Sequence, residues 1–258
     1  MKGVVLAGGL GTRLLPMTRI TNKHLLPVYD RPMVHYPIQC LKNAGIDEIM
    51  VVTGGPHAGA FFNLLRNGEE FDLRRLCFAF QDGEGGIADA LSLAEEFVDG
   101  DDVCVILGDN IIENNIAQAV TNFQAQGGGA KVFLKQVHDP ERFGVVAFDG
   151  EGPDRRITEI IEKPTEPPSD YAVIGIYMYD STVFGICRDQ IPSHRGELEI
   201  TDVNRAYLER GQLTHRVLDG WWIDAGTHDA LLRASNLVAK TGANRLDPSL
   251  ANGTAAHI

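Results

Sequence analysis

Hydrophobic positions open the chain in a strand-like run. Lys2 to Ala7 is apolar and β-branched, shows no helical period, and stops at Gly8 and Gly9, which predicts a buried strand followed at once by a glycine loop. Between Pro32 and Ala44 the period changes. Met33, Tyr36, Pro37, Cys40 and Leu41 recur at helical spacing, Gly45 ends the segment, and Ile49 to Thr53 returns to strand, completing one βαβ unit. The pattern then predicts a helix from His57 to Arg66, a strand from Leu76 to Phe80, a helix from Ile87 to Phe97 and a strand from Val103 to Leu107 that runs into Gly108 and Asp109. Strand and helix alternating in this way predict an α/β fold. Its centre is a doubly wound, mostly parallel sheet flanked by helices, with ligands bound beyond the carboxyl ends of the strands where strand order reverses. The glycine loop and Asp109 both fall at that edge.

The second half reads differently. A helix from Ile116 to Gln126 and a strand from Lys131 to Gln136 precede short strands at Gly144 to Phe148, Ile157 to Glu162 and Val173 to Tyr179. The turn-rich stretches Asp149 to Asp154 and Pro164 to Asp170 separate them, which predicts a small antiparallel insert covering one end of the sheet. Thr201 to Arg210 and His228 to Lys240 are expected helices, with a strand at Leu213 to Leu218 between them. Thr241 to Ile258 is small and polar and is expected to be a loose tail. The expected organisation is therefore one domain over 1–240, with halves at about 1–110 and 111–227, and a flexible 241–258.

Charge removes several functions. Lys and Arg number 23 against 35 for Asp and Glu, a balance of −12, which disfavours nucleic acid and anionic membranes because both attract a positive surface. An anionic ligand then has to be held by a local cluster. No apolar run reaches the length of a membrane span. Cys40, Cys77, Cys104 and Cys187 lie far apart with no metal spacing, and the apolar run before Gly8 is too short for a signal-peptide core, so a reducing, cytoplasmic setting is expected.

The candidate chemistry begins at Leu6-Ala7-Gly8-Gly9-Leu10-Gly11-Thr12-Arg13. Glycines let backbone N–H groups approach a phosphate, and the adjacent guanidinium adds a fixed fork of donors; a simple tight turn is the plainer reading. No Gly-Lys-Ser/Thr follows, and Leu14 stands where a dinucleotide fingerprint needs its third glycine. Lys23 lies in a loop leaving the same strand end, from where it either folds over a phosphate or stays in solvent. Asp109 and Asp224 each follow an apolar strand. A carboxylate there suits Mg²⁺, or else caps a helix or turn. Glu162-Lys163-Pro164 places two charges at a strand tip, since Pro164 stops the ladder; an exposed ion pair is the alternative. Gln81, followed by glycines at 83, 85 and 86, is able to hydrogen-bond the edge of a planar base or is loop filler. Neither HExxH nor GxSxG occurs, so zinc hydrolysis and serine acyl transfer lack support.

Taken together, Gly8 to Arg13, Lys23 with Leu25-Leu26-Pro27-Val28, Gly108-Asp109-Asn110, Glu162-Lys163-Pro164, Gly196 to Asp202 and Trp222 to Thr227 resemble the sugar-1-phosphate nucleotidylyltransferases, from Lys2 to about Lys240. The resemblance implies transfer of a nucleotidyl group from dTTP to glucose 1-phosphate, giving dTDP-glucose and pyrophosphate. It assigns Leu6, Gly8, Gln81 and Gly86 to the base, and Gly11, Thr12, Arg13, Lys23 and His24 to the triphosphate. Gly144, Glu162 and Val173 would meet the sugar, Lys163 its phosphate, and Asp109 and Asp224 Mg²⁺. Arg13, Lys23 and Asp109 would carry the chemistry. UTP or another sugar or cyclitol phosphate is the nearest alternative, and a non-catalytic nucleotide-sugar sensor a further one. The chain departs from the family pattern at His24, Asp89, Ile112 and Ile174. Longer members continue into a helical segment that supports a tetramer and a regulatory site; from a chain stopping soon after Lys240, a monomer or homodimer without that control is expected.

Overall fold

The computed structural model describes residues 1–150, 152 and 155–246. Strands β1 (Lys2–Ala7), β2 (Glu48–Gly54), β3 (Arg75–Gln81) and β4 (Val103–Leu107) form the parallel centre in the order β3-β2-β1-β4. Strand order reverses at β1, as the alternating pattern predicts, so a crevice opens beyond the carboxyl ends of β1 and β4. Both faces of β1 are covered. Val4 and Leu6 face one apolar core, Val5 and Ala7 the other, which is why this strand reads as an unbroken apolar run.

Helices α1 (His35–Asn43) and α2 (Ala58–Leu65) pack on the second of these faces through Ile38, Leu41, Phe61 and Leu65. The expected helix from Ile87 to Phe97 is divided into α3 (Ile87–Ser92) and α4 (Glu95–Val98). A tight bond from Ala94 N to Leu91 O marks the break, beyond which Phe97 and Val98 are buried in the first core. Helix α5 (Ala117–Gln126) joins the second core, and α6 (Val183–Arg188) and α7 (Ile200–Glu209) the first. Helix α8 (His228–Thr241), capped by the Thr227 side chain, covers a third cluster around Met33, Tyr36 and Ile223.

The antiparallel strands β5 (Ala130–Gln136), β6 (Gly144–Asp149), β7 (Arg156–Glu162) and β8 (Tyr171–Tyr179), with β9 (Leu213–Val217), do not lie across the end of the sheet. They continue it into nine strands. Strand β8 forks the sheet: Ile176 to Tyr179 pair with β4, whereas Ala172 and Val173 pair with β6. The gap at Ile174 and Gly175 opens beside the end of β4, and this places the insert's residues against the crevice.

The stretch from Thr241, read as the start of a loose tail, is tied down as far as Leu246. Asn244 is buried, its Nδ2 donates to Tyr36 O at 2.7 Å and its backbone N–H to Ile112 O at 3.0 Å, while Arg245 pairs with Glu113. Backbone polar groups satisfied in this way hold a segment whose composition suggests none. Residues 247–258, and 151, 153 and 154 of the expected turn, lie outside the described residues.

One buried group predicts a pH effect. His35 Nε2 has no hydrogen-bond partner, and burial holds the imidazole below its ordinary range against the opposing pull of Glu70, with Arg31 adding to the depression. The unfolded chain therefore binds this proton more readily than the fold, and stability falls as pH drops from about 6.5 toward the folded value. His35→Phe, which keeps the edge contact with Phe71, is expected to leave stability at pH 8 unchanged or higher and to flatten the loss between pH 7 and pH 5. Urea denaturation across that range checks it; a steeper acid loss in the variant refutes it.

Candidate active site

The glycine loop is shaped by contacts a side chain would break. Gly11 has φ of +69°, and a Cβ there would lie 2.8 Å from Lys23 Cβ and 2.9 Å from Thr18 Cγ2. A tight turn over Thr12–Leu14 then buries Leu14 as an anchor and leaves Arg13 exposed on the crevice side. Asn22 fastens the returning loop: its Nδ2 donates to Ala7 O at 3.3 Å, and its Oδ1 accepts from His24 N at 2.9 Å. Lys23 runs close under Gly9 and forms an ion pair with Asp109. Both side chains are almost wholly buried.

His24 sits behind this pair with its ring against Gly108, where burial and the Lys23 charge push it down to about 3, so it stays neutral. Burial alone would raise the Asp109 carboxyl, but the Lys23 ammonium and the amide of Asn110 hold it well below the usual range. Asp224 arrives from the other half. The short strand Trp222–Asp224 pairs with Asn110–Ile112, setting Asp224 opposite Asn110, and Ala225 N donates to Asp109 O at 2.9 Å. Burial and the neighbouring Asp109 charge raise Asp224 to about 6, with Lys23 and Arg13 opposing. A Cβ on Gly226 would meet Arg13 Nη2 and Asp224 Oδ1, each at 2.9 Å, so that glycine is where the guanidinium passes the carboxylate.

Two cavities meet here. One of about 240 Å³ is lined by Leu6, Gly8, Lys23, His24, Gln81 and Gly86 among others. The other, about 330 Å³, is lined among others by Arg13, Gly144, Glu162, Lys163, Val173 and Asp224. Asp109 belongs to both. Every residue that the resemblance assigns to the base, the triphosphate, the sugar phosphate or Mg²⁺ therefore borders one or other cavity except Gly11 and Thr12, which line neither and begin the turn that carries Arg13. At the insert tip Thr201 Oγ1 donates to Glu162 at 2.6 Å, and Lys163, directly before Pro164, holds a left-handed backbone with φ of +43°.

The sequence reading assigned no role to Asn110, Arg195, Glu197, Thr201 and Trp222. Arg195 lies 3.3 Å from Glu197 and 2.7 Å from Glu199; the alternating glutamates of Gly196 to Ile200 are the signal that one face there is charged. Asn110 holds the fork of the sheet. Its Oδ1 accepts from Gly175 N at 3.0 Å and Trp222 Nε1 at 2.7 Å, and its Nδ2 donates to Asp109 at 3.1 Å. Asn110→Ala strands those donors, with an expected loss of about 2 kcal/mol and a weakened Asp109 position. Urea denaturation and turnover together check this, and full stability in the variant would refute it.

A glycine loop, a buried lysine–carboxylate pair and a second cavity across the fork therefore lie side by side at the carboxyl edge of the sheet. The chain matches the nucleotidyl transferase family model over residues 2–241 and belongs to that family. It is 46% identical over 241 residues to the glucose-1-phosphate thymidylyltransferase of Neisseria meningitidis serogroup A, covering 92% of this chain and 82% of that one. A solved structure from Bacillus anthracis, assigned as a glucose-1-phosphate thymidylyltransferase and holding sucrose, is 51% identical, with a TM-score of 0.87 and coverage of 93% and 96%. A UDP-glucose pyrophosphorylase solved with UDP-glucose is 26% identical, with a TM-score of 0.81 and coverage of 93% and 98%. Among the described residues no helix is long and apolar enough to cross a membrane.

Proposed function

We propose that this protein transfers the thymidylyl group of dTTP to glucose 1-phosphate, giving dTDP-glucose and pyrophosphate. The observation that carries the reading is the Lys23–Asp109 pair, whose carboxylate lines both cavities while its lysine lines the smaller, with Arg13 and Asp224 on the larger. The smaller cavity takes the base, between Gly8, Gln81 and Gly86, and the larger takes the sugar, between Gly144, Glu162 and Val173. Their junction is where the α-phosphorus and the sugar phosphate meet.

A phosphate oxygen of the sugar attacks the α-phosphorus in line, the bond to the bridging oxygen breaks, and pyrophosphate leaves with that electron pair. A sugar phosphate is already an anion, so no general base is required, and catalysis consists of positioning and charge neutralisation. In this reading Lys23 meets the α-phosphate, Lys163 the sugar phosphate, and Arg13 the departing pyrophosphate. Thr201 orients Glu162 to receive sugar hydroxyls.

Among the described residues no three His, Cys, Asp or Glu side chains converge as a metal cluster. The donor set at the junction is two carboxylates. That fits Mg²⁺, which is commonly held by one or two carboxylates together with water and substrate phosphates, and Asp109 and Asp224 would hold it. When bound, the ion would screen the two phosphate anions from one another.

Pyrophosphate release by the purified protein with Mg²⁺, dTTP and glucose 1-phosphate tests the proposal, with the sugar nucleotide identified by chromatography. Release with UTP in place of dTTP is the alternative that the UDP-glucose pyrophosphorylase likeness favours. Failure with both triphosphates and a panel of sugar phosphates overturns the reading.

A further inference from the structure

Gln81 closes β3 with its amide nitrogen held by two acceptors. Nε2 donates to Gly86 O at 3.0 Å and to Asp89 Oδ2 at 2.7 Å. Both partners only accept, so the amide nitrogen has to face them and the carbonyl oxygen has to face away. Oε1 accordingly points toward Gly8, where a Cβ would come within 2.9 Å of it, at the wall of the smaller cavity. Asp89 is itself seated closely. A Cβ on Gly85 would lie 2.6 Å from its Cγ, so the bare glycine is what admits the carboxylate to this position.

We infer that Asp89 is a positioning residue for base selection, holding Gln81 so that it offers the base an acceptor and never a donor. The inference rests on reading the smaller cavity as the base site. Thymine and uracil present a ring N–H to such an acceptor, whereas the corresponding ring nitrogen of cytosine is itself an acceptor and meets lone pair with lone pair. An amide at position 89 could bond Gln81 in either orientation, leaving Gly86 O alone to choose between them. A carboxylate permits one alone, and its charge strengthens the bond that enforces it. Asp89 touches no part of the base in this arrangement and acts through Gln81.

The test compares kcat/KM for dTTP and dCTP, each with glucose 1-phosphate, in the wild type, Asp89→Asn and Asp89→Ala. The expected result is a dTTP-over-dCTP preference reduced by about tenfold or more in both variants, with kcat at saturating dTTP held within about threefold, because Gly86 O alone then holds the amide and the charged acceptor that opposes its other orientation is gone. Equilibrium binding of dTTP and dCTP to the folded variants, measured by calorimetry, gives the same ratio without turnover. A merely structural role would lower kcat or stability and leave the ratio unmoved. An unchanged ratio in both variants overturns the role of Asp89 while the reaction stands. No pyrophosphate from the wild type with any triphosphate overturns the reading of the cavity and this inference with it.

Discussion

Asp109→Asn is expected to lower turnover by about a thousandfold or more while the protein still folds, because the change removes one charge from the junction and keeps the side chain's shape. The carboxylate is nearly buried against Lys23, so its two roles are separable by measurement. An asparagine oxygen can still accept from the Lys23 ammonium, which limits the structural damage. Lys23→Met is the harsher change. It leaves Asp109 without its ammonium partner and under the influence of the Asp224 charge, and breaking a buried ion pair from one side costs about 3 kcal/mol or more. Combining the two substitutions removes the stranded charge, so the double variant should be less destabilised than the sum of the single ones. Urea denaturation of the three proteins reads this coupling, and initial rates of pyrophosphate release read the chemistry. Strictly additive stabilities, or Asp109→Asn turning over within tenfold of the wild type, would falsify the central place given to this pair.

Asp109 stands out in the sequence whereas its partner Lys23 and its supports do not, and both facts have physical causes. Strands β1 and β4 are legible because each is buried on both faces, which forces an unbroken apolar run, and glycines punctuate both ends. Asp109 follows from the end of β4, and Asp224 from the separate short apolar run at Trp222 and Ile223: a charged residue at the end of a buried strand has to be capped, paired or put to use. Asn110 gives no such signal, because an asparagine after Gly-Asp looks locally like any turn residue. Its function lies in contacts to Gly175 and Trp222, 65 and 112 residues away in sequence. The fork in β8 is equally silent, since pairing first with β6 and then with β4 leaves the alternation of a single strand unaltered. The same reasoning accounts for residues 242–246. Their attachment is made through backbone groups, one asparagine amide and the Arg245–Glu113 ion pair, and composition encodes none of these. What the sequence hides in each case is a long-range polar contact, whereas what it displays is burial.

Arg13→Ala should separate binding from catalysis more cleanly than any change at the buried pair. Arg13 is exposed, and the neighbouring Leu14 anchors the turn, so the substitution is expected to alter stability by less than about 0.5 kcal/mol. Turnover is expected to fall by about a hundredfold to a thousandfold, the range seen when one donor to developing charge is removed. The loss should appear mainly in kcat. Negative charge on the leaving pyrophosphate grows as the bond to the α-phosphorus breaks, and a group that meets it there contributes more in the transition state than in the bound substrate. Arg13→Lys extends the argument, because an ammonium restores the charge without the planar fork that spans two phosphate oxygens. It should recover less than about a tenth of the lost rate, since the geometry by which the guanidinium passes Asp224 at Gly226 is not one a single nitrogen can reproduce. Steady-state kinetics in dTTP, with thermal melts of both variants alongside, decide the matter. A raised KM with unchanged kcat would make Arg13 a residue that holds the triphosphate before reaction, and the charge on the leaving group would then have to be met by Lys23 and the two carboxylates' ion alone.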